Sequence, residues 1–195
     1  MKIYSYVVDH DEGREPNPYF NVCTLCRCKF SKKAEATQGR EGRKNIVELA
    51  CKGDWVIGTG GTSKKSAGHG KLIYAMQVDE RLTRWEYFTD RRFIQKKPER
   101  PRSEFERHKQ FALVSWHFYY FGANAIDIPK RFRLEKPKGF RLEKKGPGFR
   151  SHFEPADILR FLEWLKRECK PGKHGKPCGK VVDELKGSRR CKSSC

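Results

Sequence analysis

The 195-residue chain contains no apolar run approaching the ~20 residues that cross a bilayer, which excludes a helical membrane span. Its N-terminal MKIYSYVVDHDEG lacks the apolar core and small-residue cleavage site of a secretory leader, so a cytoplasmic protein is expected. In that compartment the eight cysteines are expected as thiols rather than as a disulfide framework. Several catalytic signatures are missing as well: GxSxG, HExxH, the HxE with PCxxC of deaminases, and the Gly-Lys-Ser/Thr end of a Walker loop. No nucleophile stands beside an activating base in a recognisable motif. No catalytic residue is therefore assigned, and no cofactor is expected.

Acidic residues are scarce, 24 against 43 lysines and arginines, giving a formal charge of +19. The imbalance grows along the chain: basic residues outnumber acidic ones 10 to 8 over residues 1–60, 14 to 8 over 61–130 and 19 to 8 over 131–195. Such a charge attracts polyanions and predicts steeply salt-dependent binding. Aromatic residues make up 12% of the chain and include four tryptophans, too many for a disordered segment. The length suits one folded domain, read here as residues 1–178, followed by a basic, Ser-rich tail over 179–195 that is expected to be mobile.

The segment from Lys52 to Phe93 is the most informative. Trp55 to Thr59 and Leu72 to Val78 are β-branched and aromatic runs of strand length, joined by a Gly-, Ser- and Lys-rich loop. Thr83 and Glu86 then have capping-box spacing and open a short helix, with Trp85 and Phe88 expected to face the sheet. This order suggests a small β-barrel-like module with a phosphate-binding loop at its mouth. Lys2 to Val8 reads as a first strand and 9–19 as a loop, while 31–45 is a polar, basic insertion. The stretch from Arg91 to Gln110 reads as an exposed connection. Phe111 to Phe121 reads as one strand with Trp116, Phe118 and Tyr120 on one face, and Ala125 to Ile128 as a short one. FRLEKPKG and FRLEKKGP, over 132–147, form a direct repeat too short for a solenoid and are read as a basic hairpin or duplicated loop. Pro155 at a first turn, basic residues at the far end and Pro171-Gly172 mark a helix whose buried stripe is Ile158, Phe161, Leu162 and Leu165.

Glycines let backbone amides approach a phosphate, so Lys64, Lys65, His69 and Lys71 in the loop, with Arg150 from GFRSHF, are candidate phosphate contacts. A base pocket needs an aromatic wall and polar groups that read the base edge. Trp116 and Tyr120 are the candidate walls, and Asn17, Thr59 and Ser63 the candidate readers. Tyr119 and Tyr120 point to opposite faces, so one of them at most lines the pocket, and Trp55 and Trp85 suit the core. Cys23, Cys26 and Cys28 form CxxCxC, which Cys51 could complete as a zinc set; Cys169, His174 and Cys178 are a second partial set. Buried thiols are the simpler reading, and no metal is assigned. Asp9, His10, Asp11 and Glu12 cluster acid and base groups beside the first strand, as solvated loop residues or as a general acid and base.

Four blocks carry a resemblance: KIYSYVVDHDEGREPNPYFNVCTL; GDWVIGTG with LIYAMQV; YYFGANAIDIP; and GFRSHF with PGKHGKPC. In this order they resemble the second type of nucleotide modification associated domain. The central block also resembles the PUA-like group of EVE, YTH and ASCH domains, in which a GD-strand, loop, strand and helix help to build a modified-base pocket. The resemblance implies an α+β fold, a PUA-like small twisted β-barrel with flanking helices. It also implies binding of nucleic acid, DNA ahead of RNA, or of a nucleotide. The alternative is an enzyme that synthesises, transfers or processes modified bases. Oligomeric state is left open.

Overall fold

The computed structural model describes residues 1–26, 45–98, 100–134, 140–144, 146 and 148–180. Cys28, most of the 31–45 insertion, parts of the repeat and the tail beyond 180 lie outside them. In chain order the elements are β1 (Ile3–Val8), β2 (Asn17–Tyr19), β3 (Val22–Leu25), α1 (Ile46–Leu49), β4 (Trp55–Gly60), β5 (Lys71–Gln77), β6 (Glu80–Thr83) and α2 (Arg84–Thr89). A 3-10 turn (Arg91–Lys96) leads to α3 (Glu104–Lys109), β7 (Phe111–Ser115), β8 (Phe118–Tyr120), β9 (Ile126–Asp127), β10 (Phe149–Arg150), α4 (Pro155–Glu168) and β11 (Gly172–Lys173).

The strands form two sheets. The larger runs β10-β1-β4-β5-β8-β11 with β9 on β5, and the smaller runs β2-β3-β7-β6. The fold is mixed α+β, and the sheets do not close into a barrel. Alternation along each strand, the two-residue side-chain period of a strand, divides the core. Ile3, Trp55, Ile57 and Tyr119 pack beneath α4, whose buried face is Ile158, Phe161, Leu162, Trp164 and Leu165. Tyr4, Tyr6, Val56, Tyr74, Phe118 and Tyr120 instead face Cys23, Leu25 and Leu113 of the smaller sheet, joined by Ile46 and Val47 of α1. The outer face of the smaller sheet holds Val22, Ala112 and Val114 against Tyr87 and Phe93.

The expected first strand, the two central strands and the α4 helix all form. Three expectations are corrected. The run from Phe111 to Phe121 is two strands, because Asp79 Oδ2 accepts the Trp116 N–H at 2.7 Å and the Ser115 hydroxyl donates to the His117 carbonyl at 2.9 Å. The chain crosses there from the smaller sheet to the larger, leaving Trp116 41% exposed while Phe118 and Tyr120 are buried. The Thr83–Glu86 capping box forms as expected, but it is Arg84 and Tyr87 that α2 buries. Tyr87 bonds Thr24 Oγ1 at 3.0 Å, whereas half-buried Trp85 lies under the Arg107 guanidinium at 4.9 Å. The stretch after α2 is also more than a connection, since Phe93 and Lys96 of the 3-10 turn are buried.

One pairing sets up the candidate site. β1 and β4 run parallel, with Ile3 opposite Trp55 through to Val8 opposite Gly60. Parallel strands leave a sheet at the same end, so the 9–16 segment and the 61–70 loop emerge side by side. Antiparallel β10 lies along β1, with Tyr6 opposite Phe149, and carries the second repeat copy to that end.

Candidate functional site

A cavity of about 730 Å³ lies at this end of the larger sheet. Val7 and Asp9 come from the end of β1, Gly61 and Thr62 from the end of β4, and His69 from the loop before β5. The opposite wall is the direct repeat: Phe132 and Phe140, its first residues, pack at 5.3 Å, and Phe140 and Leu142 donate backbone N–H groups to Arg131 and Phe132 at 3.1 and 2.9 Å. The second residue of each copy, Arg133 and Arg141, lines the cavity with Glu143 and Lys144. Three basic side chains, Arg133, Arg141 and Lys144, thus share the cavity with the carboxylates of Asp9 and Glu143, and His69 lines it beside them.

Glu143 orders this wall. Its side chain is buried and accepts the Gly70 N–H at 2.6 Å and Arg133 Nε at 3.4 Å. Gly70 has φ +76°, a left-handed conformation that glycine adopts without steric cost, and a Cβ there would lie 2.6–2.8 Å from three atoms of the Arg133 guanidinium. The plane of the guanidinium therefore rests on Gly70. Gly61 has a parallel role, since a Cβ there would sit 2.1 Å from Asp9 Oδ1. The two glycines allow Arg133 and Asp9 to lie against backbone at the cavity wall.

The loop expected to hold phosphate is tied into the protein. Ser66 Oγ donates to the Val8 carbonyl at 2.5 Å and accepts the Gly61 N–H at 2.8 Å. Ser63 is part of this turn and accepts the Lys65 N–H at 3.2 Å. Lys65 Nζ pairs with Glu12 at 3.1 Å and Lys71 with Asp127 at 3.0 Å, while Lys64 is exposed. Arg150 lies half-buried on β10 opposite Ser5. Of the expected phosphate contacts, His69 lines the cavity; Lys64, Lys65, Lys71 and Arg150 are not among its lining residues.

The expected base-pocket residues are dispersed. Thr59 is fully buried in β4 and its hydroxyl donates to the Tyr6 carbonyl at 3.3 Å. Tyr120 is fully buried in the inter-sheet core, where its hydroxyl donates to both oxygens of Asp11 at 2.7 and 2.8 Å. Burial, reinforced by Asp11, holds the Tyr120 phenol far above its usual range. Trp116 stands outside, stacked on Phe93 at 6.4 Å. Asn17 lines a second cavity of about 710 Å³ on the other side of the 9–17 segment, together with Tyr19, Arg84, Gln95 and Lys96.

The acidic cluster after β1 is likewise divided. Asp9 lines the first cavity, His10 is exposed, Glu12 pairs with Lys65, and Asp11 is a fully buried peg. Besides Tyr120, Asp11 accepts the Cys178 N–H at 3.1 Å; its own N–H donates to the Lys65 carbonyl at 3.0 Å, and its carbonyl accepts the Gly179 N–H at 2.8 Å. One residue therefore joins both site loops, β8 and the C-terminal segment.

The described cysteines are thiols. Burial raises Cys23 and Cys178 to about 12, and Cys26 also moves well up. Cys51 is exposed, and no cluster of three or more His, Cys, Asp and Glu side chains able to hold a metal occurs among the described residues. No helix among them is long and apolar enough to cross a membrane.

Sequence reasoning noticed the repeat and missed its role. The available signal was an arginine at the same offset in both copies, Arg133 and Arg141, both of which line the cavity.

No curated protein and no solved structure matches the chain significantly. A family model described as nucleotide modification associated domain 2 matches residues 1–109 and 101–184, and together these segments span both walls of the first cavity and the Asp11 peg between its loops. The chain belongs to the nucleotide modification associated domain 2 family.

Proposed function

We propose that the protein binds a nucleotide, free or within a nucleic-acid strand, and recognises a modified base, with phosphate held at the Arg133–Arg141 wall. The observation that carries this reading is the convergence of both repeat arginines on one cavity with His69 and Asp9. Guanidinium forks match phosphate oxygens in pairs and their faces stack on bases. A carboxylate such as Asp9 accepts from an exocyclic amino group, which distinguishes base edges. A cavity of about 730 Å³ is within the range of small-molecule sites. The family description, which associates the domain with nucleotide modification, and the charge of +19 both favour this ligand class. The strand, loop, strand and helix order of the PUA-like group has its counterpart in β4, the 61–70 loop, β5 and α2, with β6 between the last two and without closure into a barrel. DNA is preferred to RNA as the strand.

Calorimetric titration of plain and modified nucleoside monophosphates tests the proposal. The parent protein binds with a preference for one modified base, and Arg133→Ala with Arg141→Ala weakens binding by tens of fold. Equal affinity across the panel removes the base-reading claim, and an unaffected double variant removes the cleft. Turnover of a nucleotide during the titration would replace binding by an enzyme of base modification.

A further inference from the structure

Three exposed large apolar side chains, Phe20, Ile94 and Trp116, gather at one end of the smaller sheet. Tyr19 pairs with Val22, so the β2–β3 hairpin turns on two residues, Phe20 and Asn21. Turns this tight favour glycine or asparagine where φ is positive, yet the residue at φ +49° is Phe20, 75% exposed. Its ring meets the edge of Tyr19 at 4.5 Å. The pairing of Cys23 with Ser115 brings Trp116, 41% exposed, to the same end. Ile94, beside the Phe93 on which Trp116 stacks, is 65% exposed.

Cations and an unused amide line the second cavity beside Tyr19, the ring that Phe20 meets. Lys97, the other described non-glycine residue with positive φ, and Arg14 are exposed at the second cavity, which Asn17, Tyr19 and Gln95 also line. Lys96 Nζ donates to the Asn17 carbonyl at 2.5 Å and the Val22 carbonyl at 3.4 Å, which fixes the hairpin against the 3-10 turn. The Asn17 side chain makes no hydrogen bond among the described residues. Backbone conformations that side chains disfavour persist where surrounding structure enforces them, and they gather at ligand clamps.

We propose that this end of the smaller sheet binds single-stranded nucleic acid, with Phe20 and Trp116 stacking on bases and Arg14 and Lys97 contacting phosphates. The inference rests on the nucleotide reading above and narrows the ligand to a strand. Exposed aromatic side chains and cations presented by the hairpin, the segment before it and the 3-10 turn fit alternating bases and phosphates, and stacking on such rings tolerates any sequence. The chain's charge of +19 complements the same partner.

Fluorescence anisotropy of a labelled single-stranded oligonucleotide of about 12 nucleotides, titrated with the full chain, tests it. Phe20→Gly suits the positive φ, so the fold is kept while the ring is lost. Binding should weaken about tenfold in Phe20→Gly and in Trp116→Ala, and stay within about twofold in Phe20→Tyr. Mononucleotide binding at the arginine cleft should be unchanged in Phe20→Gly. Oligonucleotide affinity unchanged in both Phe20→Gly and Trp116→Ala overturns the proposal. So does a parent protein that binds mononucleotides and no strand, and the cleft reading then stands. So does a dimer that Phe20→Gly dissociates without altering strand binding. Strand binding that needs Phe20 and ignores Arg133 and Arg141 supports this surface as a site separate from the cleft, which mononucleotide titration of the arginine variants tests on its own.

Discussion

The 61–70 loop and the 132–147 repeat are both short, basic and glycine-containing, and residues of each that the structure describes line opposite sides of one cavity. The loop spends its polar groups on the protein: Ser66 clamps Val8, Lys65 pairs with Glu12 and Lys71 with Asp127. The repeat instead sets two arginines on the cavity wall, with Glu143 holding one of them against Gly70. The difference lies in which carboxylates the fold brings near each cation. Composition alone does not carry that information.

The largest expected effect concerns the Asp11 peg that supports the loop side. Asp11→Ala leaves the Tyr120 hydroxyl and the Cys178 amide buried without their acceptor and should cost about 3 kcal/mol in denaturant unfolding. The same interior makes the protein alkali-sensitive. The Cys23 and Cys178 thiols are raised from 9.0 to about 12, so their contribution is full below pH 9 and is lost as pH rises towards 12. Lys96, lowered by burial from 10.5 to about 8, acts in the opposite direction between those values, but it is one group against two. Thermal unfolding followed from pH 8 to pH 12 should therefore show a net fall.

The comparison sharpens when the two sides are altered in turn. Arg133→Ala with Arg141→Ala should weaken nucleotide binding by tens of fold, corresponding to about 2 kcal/mol, and should cost about 1 kcal/mol of stability because buried Glu143 loses its Arg133 partner and keeps the Gly70 N–H. Gly70→Ala should cost about 1 kcal/mol of stability through its positive φ, and it should also reduce binding because the new methyl displaces the Arg133 guanidinium. A variant that loses stability and keeps full affinity would separate Gly70 from the site. Lys64→Ala with Lys65→Ala should have the smallest effect, about threefold and alike for every base, as expected of screened surface charges.

Local rules made much of the scaffold legible. Alternation located β1, apolar runs rich in β-branched and aromatic residues located β4 and β5, the Thr83–Glu86 spacing fixed the start of α2, and Pro155 with the apolar stripe fixed α4. Their contacts lie close in sequence or follow a period. The crossing at Trp116 was not legible, because Asp79, far back in the chain, takes the amide that a continuous strand would have used. The site was less legible for the same reason. Thr59 and Tyr120 carry suitable polar groups, but the fold satisfies them internally with Tyr6 and Asp11. The cavity joins β1, β4 and the repeat through a parallel pairing and a return along β10 that no short window contains.

The central claim is that the repeat arginines, rather than the glycine-lysine loop, provide the phosphate-binding wall. The most direct measurement is the dissociation constant of one nucleoside monophosphate, determined at two salt concentrations for the parent, the Arg133–Arg141 double variant and the Lys64–Lys65 double variant. The account predicts that the arginine variant loses tens of fold and most of the salt dependence, while the lysine variant stays within about threefold of the parent. Equal losses in the two variants, or a larger loss in the lysine variant, would contradict it.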